Sequence, residues 1–353
     1  MRRGPHLVQE CGVMNDRRQI VLLKHRWGIL VLLLSGWLVA CSLSQKTLEG
    51  VTVQLSWAHS AEFAGFYVAD QKGYYQEEGL IVSLVPGGPE IDPIQAVNAD
   101  LAQFGVTAGD SIVRARVAGD DLIAVSAIFR YSPLVVMSLM EEGLQNPWDL
   151  KGKTVGVIAA DLDTTWDRQF MAMLAQLDID PTSMNFVPIE NYHGADVLKS
   201  GRIQAVSGFF STHEAVQARL DGDDVNLIFV SDYGVAVYPN PIFTREAFIR
   251  QRPDLVEGFV RATLKGYMYA VEHPKEAAEL CLKYDDNLDR TLQQETMYAQ
   301  VPFIDTGDAM LGEMDYAVWK STQDMLLEQG LISSGVDLNT LHTNVFVERA
   351  RQR

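Results

Sequence analysis

From Val51 to Ser231 of this 353-residue chain, short apolar runs alternate with helical patterns, an order that buries both only when sheets are covered by helices. The runs VTVQLSW (51–57), LIVSLVP (80–86), LAQFGV (101–106) and LIAVSAIF (122–129) read as strands. Between them SAEFAGFYVADQKG (60–73) reads as a helix capped by Ser60 and stopped at Gly73. Two more helices are expected over IDPIQAVNA and GDSIVRARVAG. The alternation restarts at Lys153 with strands TVGVIA, NFVPI, IQAVSGF and NLIFVS, separated by helices across 164–177, near 193–199 and over 212–219. After Pro253 apolar residues recur at three- and four-residue steps, and the chain turns mostly helical. The fold class expected is α/β, with mostly parallel sheets flanked by helices.

Two stretches share a plan. IQAVNADLAQFGV (94–106) and DVLKSGRIQAVSGF (196–209) each run from a helix end through a turn, at Asp100 or Gly201, into a strand. The turns lie about a hundred residues apart, on the scale of domains, and the simplest reading is two similar lobes. No Pro/Gly/Ser-rich linker separates them, so the crossings are expected in extended segments, SPLVVMSLMEE (132–142) and YPNPIFTRE (238–246). Two crossings insert one lobe into the other. Residues 51–138 and 242–353 are assigned to lobe I and 139–241 to lobe II, with a ligand cleft between them.

The amino-terminal end reads differently. Arg17, Arg18, Lys24 and Arg26 precede the apolar run WGILVLLLSGWLVA, so residues 1–40 read as a signal peptide, with Met14 a possible alternative start. Leu38-Val39-Ala40-Cys41 looks like a bacterial lipobox, with Cys41 the lipid-attachment residue and 41–50 a polar tether. Without the leader the chain carries 23 basic against 44 acidic side chains, a formal charge of −21. Such acidity argues against nucleic acid or an anionic membrane surface as partner. Cys281 is the one cysteine beyond Cys41, so no internal disulfide is expected.

Open α/β sheets bind ligands beyond the carboxyl ends of their strands. That rule gathers Trp57, His59, the Gly105–Asp110 loop, Phe129–Tyr131, the Ala160–Trp166 loop, Asn191, Tyr192, Phe209 and Phe210 near one crevice. Trp57 either contacts ligand or packs in the core; His59 either contacts ligand or bonds backbone. Glu62 either complements a helix dipole or accepts from a ligand N–H, and Phe63 is placed beside it. Thr107 and Asp110 flank a helix start, Asp110 as N-cap or as polar anchor. Thr164 and Thr165 open another helix, whose free N–H groups suit a carbonyl or an anion, although Asp161 and Asp163 disfavour a strong anion there. Asp232 and Tyr233 sit at the second crossing. No Walker loop, G-x-S-x-G or C-x-x-C occurs, and His59, His193 and His213 are too scattered to suggest a metal site. Neither catalytic residues nor a cofactor is expected.

LSWAHSAEFAGFYVADQKGYYQEEGL, QFGVTAGDSIVRARVAG, NPWDLKGKTVGV, LKSGRIQAV and FVRATLKGYMYAVEHPKEAAEL together resemble the thiamine-pyrimidine-synthase-like periplasmic binding proteins, over roughly residues 51–330. The resemblance implies a two-lobe type II periplasmic-binding fold and the capture subunit of an ABC importer. Its partners would be a small-molecule vitamin, a permease and, through it, an ATPase, with the protein a monomer lipid-anchored on the extracytoplasmic face of the cell membrane. The family's enzymatic branch uses a Lys, a His and a Cys-rich motif; here the matching loop reads FGVTAGDSI and lacks both Lys and His. The many aromatic candidates, with Arg130 the one evident crevice cation, favour a planar neutral ring over a sulfonate. Riboflavin is expected first and a thiamine pyrimidine precursor second.

Overall fold

The computed structural model describes residues 48–352 apart from Asp308; the expected leader, Cys41 and most of the tether fall outside them. The strands are β1 Glu49–Gln54, β2 Leu80–Val85, β3 Phe104–Val106, β4 Leu122–Ala127, β5 Leu134–Leu139, β6 Thr154–Val157, β7 Asn185–Pro188, β8 Ala205–Phe210, β9 Val225–Phe229 and β10 Pro241–Arg245. They form two five-stranded sheets, ordered β2-β1-β3-β10-β4 and β7-β6-β8-β5-β9.

The two orders are the same pattern. In each sheet four strands run parallel, and the fourth position is taken by one antiparallel strand, β10 in the first and β5 in the second. Each antiparallel strand is the one laid down just after the chain crosses from the other lobe. The crossing segments are therefore 128–133 and 230–240. Residues 134–138, expected in the first lobe and within a crossing, instead belong to the second sheet. Val135, Val136 and Met137 are at most 1% exposed and pair with β8 on one side and β9 on the other. A run apolar on both faces is an interior strand rather than a connector.

The internal echo has a physical counterpart. Asp100 and Gly201 both adopt positive φ, 59° and 67°, turning the chain into β3 and β8. Just beyond, Gln103 and Gln204 play one role twice. The Gln103 carboxamide oxygen accepts from the Thr52 N–H at 2.9 Å, and the Gln204 oxygen accepts from the Thr154 N–H at 2.9 Å. The backbone N–H of each Gln returns a bond to the carbonyl of the same threonine.

The helix expected over 60–73 is broken in two, a tight turn at Ala61–Phe63 followed by Ala64–Gln71. Ser60 is extended, with φ −162°, and its side chain makes no capping bond. Gly73 does end the second piece, at φ 76°. This helix crosses Pro253–Glu272 with two glycines at the contact: a Cβ on Gly65 would lie 2.1 Å from the Tyr267 ring, and one on Gly266 would lie 2.1 Å from the Gly65 carbonyl oxygen. The carboxy-terminal segment returns to the first sheet, where Thr343 donates to the Ala124 carbonyl at 2.9 Å and Trp319 is wholly buried against Tyr238 and His342.

Candidate ligand-binding cleft

A cleft of about 690 Å³ lies between the two sheets. Ser56 and Trp57 follow β1, Gly88–Ile94 follow β2 and Thr107–Ala108 follow β3, while Ile158 follows β6 and Gly208–Phe210 end β8. The carboxyl ends of both sets of parallel strands thus face one volume, as expected of open α/β sheets.

Aromatic contact joins the lobes across it. The Trp57 ring of the first lobe meets two rings of the second edge-on, Trp166 at 5.5 Å and Tyr192 at 5.8 Å between centroids. All three line the cleft.

Two carboxyl groups face it from opposite lobes. Glu62, in the turn after β1, accepts from the Asn240 amide at 2.5 Å; Glu214, opening the helix Glu214–Leu220, accepts from the Phe210 N–H at 2.7 Å. Burial raises Glu62 to about 7, against the Asn240 hydrogen bond and with help from the Glu214 charge. Burial likewise raises Glu214 to about 7, against the hydrogen bond from Phe210. Such carboxyls are part-protonated at neutral pH and can donate as well as accept.

Both cleft arginines are already engaged. Arg114 holds Asp163 through two contacts, at 2.8 and 3.2 Å. Arg168 is only 4% exposed and pairs with Asp110 at 2.7 Å and with Asp163 at 3.2 Å.

Of the residues singled out from sequence, Trp57, Glu62, Thr107, Thr164, Thr165, Tyr192 and Phe209 line the cleft. Seven others do not. The His59 ring points to the Tyr67 hydroxyl, 2.9 Å away, and to Tyr284; burial lowers its pKa. Phe63 is 1% exposed in the first lobe's core, because the tight turn rotates it inward. Asp110 is neither lining residue nor N-cap: Ala108 caps that helix, and the wholly buried Asp110 carboxylate lies against Arg168. Tyr131 is 57% exposed on a crossing segment, and Asp232 is exposed on the other. Asn191 spends its side-chain oxygen on the His193 N–H at 2.9 Å. Tyr233 packs edge-on against Trp148. Nearby, Phe129 is core, and Arg130 is pinned by the Glu313 carbonyl at 2.7 Å.

Residues 60–277 match the NMT1/THI5-like family. The chain belongs to that family. It is 29% identical to the riboflavin-binding protein RibY of Chloroflexus aurantiacus, over 86% of this chain and 88% of that one. It is 28% identical to the formylaminopyrimidine-binding protein of Halalkalibacterium halodurans, over 82% and 89%. It is also 28% identical to a 4-amino-5-hydroxymethyl-2-methylpyrimidine phosphate synthase of Legionella pneumophila, over 72% and 79%. Among solved structures it is similar to the periplasmic aliphatic sulphonate binding protein SsuA of Escherichia coli, with TM-score 0.65 and 14% identity over 83% of this chain and 91% of that one. The fold is the two-lobe type II periplasmic-binding fold, with its cleft between the lobes.

This NMT1/THI5-like chain also brings in residues that sequence reasoning passed over: Ser56, Arg114, Arg168, Glu214 and Asn240. A signal existed for Glu214. It opens a helix just after β8 in the second lobe, as Glu62 follows β1 in the first. The arginines gave no signal, because each lies in the body of an amphipathic helix, where a basic residue ordinarily meets solvent.

Proposed function

We propose that this protein is the ligand-capturing subunit of an ABC importer, taking up an uncharged planar nitrogen heterocycle, with riboflavin the first candidate. The observation that carries this is the cleft's composition: aromatic rings from both lobes, two part-protonated carboxyls, and two lining arginines, Arg114 and Arg168, each paired with a carboxylate. Its volume of about 690 Å³ falls in the range that encloses a drug-sized ligand. Flat rings gain from aromatic faces beyond simple burial, and a few polar groups fix orientation. The relative named as riboflavin-binding covers most of this chain. Attachment through a lipid on Cys41 would hold the protein beside its permease.

A second reading is favoured by the carboxyl pair. Glu62 and Glu214 near their titration midpoint can accept from an exocyclic amine and donate to a ring nitrogen, the edge that an aminopyrimidine presents. A relative named as formylaminopyrimidine-binding supports this alternative. The enzymatic reading is the weaker one, because FGVTAGDSI offers neither Lys nor His to the cleft.

The test is a titration of purified protein with riboflavin, following flavin and Trp emission together. Saturable quenching at micromolar flavin is expected. Absence of quenching, with a rise in Tm on adding formylaminopyrimidine, would move the assignment to the second reading.

A further inference from the structure

Behind the cleft lining at Thr165 and Arg168 runs an ion network linking the lobes. Asp110, second residue of the helix Gly109–Ala118 in the first lobe, is wholly buried. One of its oxygens accepts from the Thr165 hydroxyl; the other lies 2.8 Å from Nε and 2.7 Å from a terminal nitrogen of Arg168. Thr165 and Arg168 belong to the second lobe. The same guanidinium reaches Ser111 at 3.2 Å and the Asp163 carbonyl. A buried guanidinium fork with a hydroxyl beside it is the donor set that grips a carboxylate or sulfonate.

The other anion-seeking position in this wall is filled the same way. The Ile158 and Ala159 N–H groups, just past β6, both donate to the Asp167 carboxylate at 3.0 Å, and Thr164 donates at 2.6 Å. Both donor sets are therefore occupied by the chain's own acids.

We propose that Asp110 is a tethered anion, a specificity-determining residue that occupies the place of an anionic ligand group. It denies Arg168 to sulfonates and carboxylates, and it joins the lobes without help from the ligand. This inference rests on the cleft being the binding site and names the class of solute the cleft refuses. Its consequence is asymmetric. A neutral heterocycle loses nothing, whereas an anion must displace a buried carboxylate held by three donors.

The test uses Asp110→Ala and Asp110→Asn in the full chain, with methanesulfonate and acetate as probes against chloride at matched ionic strength. Thermal melts and titration calorimetry are the readouts. The parent is expected to respond equally to all three salts. Asp110→Ala is expected to gain a saturable rise in Tm with methanesulfonate or acetate, binding either at least about tenfold more tightly than the parent does. Adding Arg168→Met should abolish that gain. Asp110→Asn keeps the side chain's shape and removes its charge, so it should show the same anion dependence in weaker form. Should Asp110→Ala fold only when acetate or methanesulfonate is present, the replaceable-anion role is supported. A folded Asp110→Ala as indifferent to these anions as the parent overturns the proposal. So does a gain that survives Arg168→Met, or an Asp110→Ala protein that no anion recovers. The riboflavin and pyrimidine titrations of the parent decide the ligand separately, so failure of one result leaves the other standing.

Discussion

At the scale of single residues, the cleft's chemistry depends on what faces each group. Trp57 lines the cleft beside Trp166 and Tyr192; a flat ligand resting on one such ring gains about 0.5–1.5 kcal/mol beyond burial. Trp57→Ala is therefore expected to weaken ligand binding by roughly two- to 13-fold, read from the same titration, while leaving the melt cooperative. Unchanged affinity would remove Trp57 from the site. The carboxyls make a pH prediction. Glu62 and Glu214 each titrate near 4.5 when unfolded and about 7 in the folded protein, so both bind protons more tightly when folded. Their stabilisation is complete below about 4.5 and is lost as pH rises through about 7. His213 opposes them: burial lowers it to about 4, so its contribution is complete above 6.5 and is lost as pH falls. Two acids outweigh one base, and the Tm of the parent should fall further between pH 5 and 7.5 than that of a Glu62→Gln/Glu214→Gln protein. Parallel Tm profiles for the two would show that neither carboxyl titrates as described.

At the scale of elements, the helix Ala64–Gln71 and the helix Pro253–Glu272 approach so closely that only glycine fits at the crossing. A methyl on Gly266 would lie 2.1 Å from the Gly65 carbonyl, so the helices must part. Gly266→Ala is expected to cost about 1–3 kcal/mol or more, read as a lowered denaturant midpoint. Gly50→Ala, with nothing near its Cβ position, should sit close to the parent; equal midpoints for the two variants would contradict the close approach. These elements were legible to different degrees. Alternation located eight of the ten strands within a few residues, because residues such as Val51 and Val53 must face one side of a sheet; β5 and β10 fall in the segments read as crossings. The broken helix at Ser60 was not legible: its composition suits a continuous helix, and the tight turn instead serves Gln293 and Gln300, whose side chains bond the Ala61 backbone at 2.7 and 2.6 Å. Those partners are more than 230 residues away.

For the whole molecule, duplication and crossing explain most of the architecture. Both lobes use the same strand order with the newly arrived strand antiparallel; the second sheet is built in one passage from β5 to β9, and the first is completed by β10 only after the chain returns from it. The first crossing was placed too late because β5 reads as an apolar connector until β8 and β9 flank it. By itself, the sequence determined the α/β class, the two-lobe plan, the position of the cleft at strand ends and several of its rings. It could do so because periodicity and strand polarity are local properties of the chain. Only the tertiary structure decided that Asp110 faces Arg168 rather than a ligand, that His59 turns to Tyr67, and that Glu214 meets the cleft opposite Glu62. Each of those outcomes depends on which lobe a side chain finds across the gap. A charge's partner, and hence its burial and protonation, is fixed by a distance in space that spacing along the chain does not encode.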